Sequence, residues 1–217
     1  MNKGTRPNTV GLEANRAVKL EYATLVWNTL EAVVALISGI VAASVALTSF
    51  GLDSGIEIVS ATIIIVRLRA LLRSGGPDEV KERLALRALS VCFYLLAAYV
   101  IVDATISLVR SYHSSTSPSG IAIAIGALIV MPALSVAKRR VADHLDGKDN
   151  KGAAALVRAD AVETMLCAVL SVTTLLGIGL NAALGWWWAD PVASLAIVYF
   201  ATKEGREAWK GGVCCDA

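Results

Sequence analysis

Residues 46–68 read ALTSFGLDSGIEIVSATIIIVRL, and two properties of this stretch decide the fold. It is apolar over enough residues to cross about 30 Å of hydrocarbon as a helix. It also carries two acids, Asp53 and Glu57, four residues apart and therefore on one helical face. The run ATIIIV would read as a strand in a water-soluble protein. In lipid, a segment has to satisfy its own backbone polar groups, so length and context select a helix.

Working outward, five further stretches have comparable length and apolarity: 23–43, 86–109, 120–137, 153–178 and 186–203. The expected fold is all-α, a six-helix transmembrane bundle over residues 21–207, with cytoplasmic tails at 1–20 and 208–217. Composition agrees, because 56% of the 217 residues are hydrophobic and only 18% charged, where a soluble domain carries about 25% charge. Mean hydropathy is +0.62. Residues 1–20 are polar and lack a small-residue cleavage site, so no secretory leader is expected. Cys92, Cys167, Cys214 and Cys215 do not form a disulfide pattern. For Cys214 and Cys215, metal handling, acylation and a plain tail all stay open.

The connections alternate in charge. RLRALLRSGGPDEVKERLALR (67–87) and AKRRVADHLDGKDNKGAAALVR (137–158) are rich in Lys and Arg. All 20 Lys and Arg except Arg110 fall on those two loops, on the tails or at the end of the sixth stretch beside the C-terminal tail. By the positive-inside rule both termini are cytoplasmic, and Trp186, Trp187 and Trp188 form an aromatic anchor at the outer interface. Net charge is only +2, and no nucleic-acid partner is expected.

Ionisable side chains in hydrocarbon are costly unless paired or hydrated, so each one is a candidate for function. Asp53 and Glu57 repel each other at i, i+4, and a bound cation removes both the repulsion and the burial cost. Glu163 and Cys167 repeat that spacing on the fifth helix. At about 1.5 Å per residue, antiparallel packing sets Asp53 level with Cys167 and Glu57 level with Glu163, near the midplane. Three carboxylates and a thiolate suit Zn²⁺, with Co²⁺, Fe²⁺ or Mn²⁺ as alternatives, and the sulfur argues against Mg²⁺ and Ca²⁺. Each residue also has a plainer reading. The acid pair can keep a proton and bridge helices, and Cys167 can be a small buried hydrophobe. Glu31, with Asn28 a turn earlier, reads as an inner gate, a proton path or polar packing. Asp103 reads as part of a path or a helix contact, Asp160 as a cap or a vestibule acid, and Asp190 as a path residue or a helix N-cap before Pro191.

At these residues the sequence resembles the transmembrane domain of the cation diffusion facilitator (cation efflux) family. SVALTSFGLDSGIE (44–57) is similar to that family's second-helix pattern, and ADAVETMLC (159–167) to its fifth. Asp190, Pro191, Ala193 and Ser194 match its sixth-helix D-P-x-A-S. The resemblance covers roughly residues 20–207. It implies a metal site at Asp53, Glu57, Glu163 and Cys167, with Asp160 as the preceding acid. The chain departs from the family where zinc-carrying members have His, since Asp53 and Glu163 stand there, and Cys167 replaces an acid. The family's C-terminal cytoplasmic domain is not expected here, so a homodimer would rely on contacts between membrane helices.

The function expected is proton-coupled efflux of a divalent transition-metal ion across the plasma membrane of a bacterium, with no nucleotide motif and no tightly bound cofactor. A non-transporting metal sensor or scaffold is the alternative. A membrane-embedded metal-dependent enzyme is less favoured, because the acids lie too deep for a lipid head group to reach, and no enzymatic activity is expected.

Overall fold

The structure, a computed structural model, describes residues 7–74, 79–110, 115, 117–146 and 151–210. Six α-helices make up nearly all of it: α1 (Pro7–Ala42), α2 (Val45–Ser74), α3 (Glu79–Val109), α4 (Pro118–Asp146), α5 (Lys151–Leu184) and α6 (Ala189–Trp209). Five of them, α1 to α5, are long and apolar enough to cross a membrane. α6 spans 21 residues, about 31 Å of rise. It carries Asp190 in its first turn and Lys203, Glu204, Arg206 and Glu207 toward its end, so its composition is more polar than theirs. The chain is a multi-pass membrane protein.

Several helices overrun the apolar windows. α1 reaches back to Pro7, into the segment expected as a tail, where LEANRAVKLEYA contains only helix-compatible residues. α4 continues to Asp146 because Lys138, Val141, Ala142 and Leu145 prolong its buried stripe at helical spacing. α5 extends to Leu184, six residues past the expected end. Cys214 and Cys215 lie outside the described residues.

The bundle distributes its residues as lipid demands. Val26, Leu30, Val33, Ile37 and Ile40 form an exposed apolar stripe along α1, and α3 and α4 present similar faces. In water such a surface would drive aggregation; against lipid it is at home. The opposite stripe of α1 is buried and polar, with Glu21, Thr24, Asn28 and Glu31 at i, i+3, i+7 and i+10. α5 answers with Asp160, Thr164, Cys167, Ser171 and Thr174, all buried. α2 adds Ser49, Asp53, Ser54, Glu57 and Ser60. The interior is therefore a polar column walled by apolar packing, in which Leu47, Phe50, Val100 and Met131 are fully buried.

The helices pack mainly as three pairs, α1 with α2, α4 with α5, and α3 with α6, while α1 also lies on α4 and α2 on α5. The α1–α2 pair is joined by a tight turn. Ala43 takes a left-handed conformation with φ 51°, and the Ser44 N–H donates to Gly39 O at 2.9 Å. The two helices then run unusually close, as small residues at helix interfaces in membranes allow. A Cβ on Gly39 would fall 2.6 Å from the Thr48 nitrogen, and one on Gly51 only 2.8 Å from the Leu36 nitrogen. The start of α2 is held by Asp190 of α6. Ser44 Oγ donates to its Oδ1 at 2.7 Å, and the Val45 N–H donates to its Oδ2 at 2.9 Å. Ser44 in turn accepts from the Leu47 N–H at 3.2 Å. Asp190 is thus a helix cap, but for α2 across the bundle rather than for its own helix.

Two stability predictions follow from this packing. Gly51→Ala forces backbone apart and should cost about 1–3 kcal/mol, seen as a lower thermal-unfolding midpoint in detergent. Gly55→Ala, where an added Cβ meets nothing within 4 Å, should cost nothing; equal losses would contradict the close approach. Asp190→Ala should cost about 0.5–2 kcal/mol through the lost cap, with Asp190→Asn recovering part of it in the same assay.

Candidate metal site

The α1–α2 contact carries polar residues directly onto one another. Nearly two turns beyond Gly51 along α2, Asn28 Nδ2 of α1 donates to Glu57 Oε2 of α2 at 2.7 Å. This bond turns the other Glu57 oxygen, Oε1, into a buried acceptor with no partner. Between the two levels, Ser54 Oγ donates to Glu31 Oε1 at 2.7 Å. Trp27 Nε1 donates to Glu31 Oε2 at 2.6 Å. Trp27 itself needs room on α4, and Gly126 provides it, since a Cβ there would lie 2.8 Å from the indole.

Onto this α1–α2 face α5 brings Cys167, fully buried, whose thiol donates to Glu31 Oε1 at 3.4 Å. One ligand atom each from Asp53, Glu57 and Cys167 lies within 4.8 Å of the others. Both carboxylates are buried, at 7% and 4% exposure. Ligand atoms around one tetrahedral ion lie roughly 3.3–3.6 Å apart, from bonds of about 2.0 Å to oxygen and 2.3 Å to sulfur. The three atoms therefore need to converge by an ångström or so, within reach of side-chain rotation. Three protein ligands leave a fourth position open, suiting an ion that has to be taken up and released.

Glu163 stands apart from that trio. It accepts from Ser60 Oγ at 2.8 Å through Oε2, and its Oε1 has no partner. Ser60 is three residues beyond Glu57, so Glu163 is bonded about 4.5 Å further along α2 than Glu57.

The other expected positions are distributed along the column. Asn28 and Glu31 join the site itself, Asn28 on Glu57 and Glu31 on Cys167. Asp103 of α3 accepts from Tyr99 Oη of the same helix at 3.1 Å and is only half-buried. Asp190 is the cap already described. Asp160 is buried against Lys138 of α4 and does not face a vestibule.

Two residues of this column escaped the sequence reading. Glu21 lay just ahead of the first apolar stretch and Lys138 in a presumed loop. The first could have been found from the spacing of Glu21 to Asn28, seven residues on one face. The second could have been found from Val141, Ala142 and Leu145, which keep the helical period running past it.

A family model of the cation efflux transmembrane domain matches residues 22–212. No curated protein matches the chain. The matched span holds α2 to α6 and α1 from Tyr22 onward, and with them Asp53, Glu57, Glu163 and Cys167. The chain belongs to the cation efflux family, whose members transport divalent metal cations.

Proposed function

We propose that this chain exports a divalent transition-metal ion, Zn²⁺ ahead of Co²⁺, Fe²⁺ or Mn²⁺, from the cytoplasm across the plasma membrane in exchange for protons. The transported ion is held by Asp53, Glu57 and Cys167. The observation that carries this reading is the convergence of two buried carboxylates and a thiol within 4.8 Å. Glu57 keeps one buried oxygen without a hydrogen-bond partner among the described residues. Two like charges at this separation in a medium of low dielectric repel strongly. A divalent ion between them turns that repulsion into attraction.

The donor set favours zinc. One sulfur and two carboxylates form a borderline-soft shell, poorly matched to Mg²⁺ or Ca²⁺, which take oxygen alone. These ligands hold metal only when deprotonated, so loading and release exchange the ion for protons. That exchange supplies a driving force from the proton gradient. Glu163, a turn nearer the cytoplasm with one oxygen free, is placed to receive the ion before the site or the proton after it. The excess of Lys and Arg at the tails and even-numbered loops sets the direction of the bundle.

The test is Zn²⁺ flux in proteoliposomes. Asp53→Ala should insert and fold normally yet lose transport by at least the roughly 100-fold that even outer partners of a metal can cost. Asn28→Leu, which frees Glu57, should weaken binding roughly 10–100-fold while leaving a saturable flux. Cys167→Ser should shift preference from Zn²⁺ toward Mn²⁺. Wild-type flux in Asp53→Ala would refute the site.

A further inference from the structure

On the cytoplasmic side of the site the polar column leads to a second group of charges. Asp160 lies seven residues before Cys167 on the same face of α5, about 10 Å along the axis. Glu21 precedes Asn28 by the same interval on α1. Lys138 of α4 enters between them. Its Nζ lies 3.1 Å from Glu21 Oε2, pairs with Asp160 Oδ2, and donates to Thr164 Oγ1 at 3.2 Å. The Lys138 side chain is 0% exposed, Glu21 0% and Asp160 4%. Asp160 Oδ2 and Thr164 Oγ1 of α5 thus accept from the ammonium, while Glu21 Oε2 of α1 lies at ion-pair distance from it.

A strut between α1, α4 and α5 would need only one acid. Here two carboxylates face one ammonium, which leaves one negative charge over when all three are ionised. The surplus has a location, because Glu21 is fully buried and neither of its oxygens has a hydrogen-bond partner among the described residues. A buried oxygen without a partner is costly, and the cost is removed by a cation of higher charge in the same cage.

We propose that Glu21 and Asp160 form a second divalent-cation site, an inner way-station for the transported ion, which the tethered ammonium of Lys138 fills in this conformation. The way-station rests on the reading of the chain as a transporter. Cargo coming from the cytoplasm displaces Lys138 from the two acids, passes Glu163 and reaches Asp53, Glu57 and Cys167. When the ion has moved on, Lys138 returns and closes the column against backflow. No covalent chemistry is involved, only exchange of one cation for another.

Counting bound Zn²⁺ on the purified full-length chain by equilibrium dialysis tests this. The wild type should hold one ion per chain, and Asp53→Ala none. Lys138→Gln should hold two, the added ion surviving Asp53→Ala and disappearing with Glu21→Gln. A folded Lys138→Gln that holds only its Asp53-dependent ion overturns the way-station. Glu21→Gln alone leaves Lys138 and Asp160 as a one-to-one pair and does not depend on how Lys138→Gln folds. It should keep wild-type Zn²⁺ affinity yet slow proteoliposome flux about tenfold, since an ion would then cross that depth with one acid fewer. Unchanged flux in Glu21→Gln overturns the proposal as well. Neither result touches the Asp53 site, which stands or falls on whether Asp53→Ala abolishes binding in the wild-type background.

Discussion

A carboxylate in hydrocarbon has to be neutralised, and this bundle is organised around that requirement. Glu21, Asp53, Glu57, Asp160 and Asp190 are each no more than 7% exposed in a protein whose outer surface is Val, Ile and Leu. Each has a different answer. Asp190 spends both oxygens on the start of α2, and Glu31 is saturated by Trp27, Ser54 and Cys167. Glu21 and Asp160 share Lys138. Asp53 and Glu57 form no ion pair among the described residues, and in the proposed reading the transported ion is the group that completes them.

Proximity is what makes the cluster work, and small residues create it. Gly39 and Gly51 let α1 and α2 approach until backbone meets backbone, which sets Asn28 on Glu57 and Ser54 on Glu31 one to two turns later. Gly126 lets Trp27 lie against α4, and the indole then fixes Glu31. The polar stripes of α1, α2 and α5 would otherwise be held apart by their own side chains. Packing and electrostatics are therefore one design: the contacts that allow the close approach also orient the acids that a cation needs.

Much of this was legible in the residues alone, because hydrocarbon imposes simple rules. Long apolar runs in lipid leave no alternative to helices, so the all-α bundle and its helices followed from hydropathy. The i, i+4 spacing placed Asp53 and Glu57 on one face without any structure. Depth was harder to read. Counting from the edge of an apolar window assumes that the helix ends there, and α4 and α5 do not stop where apolarity stops. Lys138 consequently passed for a loop charge. Asp190 was seen as a cap, but which helix it caps depends on a contact between the beginnings of α2 and α6 that no local pattern encodes. Glu31 was recognised as polar and buried; its partnership with Cys167 needed the register between α1 and α5.

The most direct test of the account is protection of Cys167 in a chain whose other cysteines are removed by Cys92→Ala, Cys214→Ser and Cys215→Ser. If Asp53, Glu57 and Cys167 enclose the transported ion, Zn²⁺ should suppress alkylation of the thiol, and Asp53→Ala should abolish that protection. A thiol that reacts at the same rate with and without saturating Zn²⁺, in a protein that still transports it, would contradict the site.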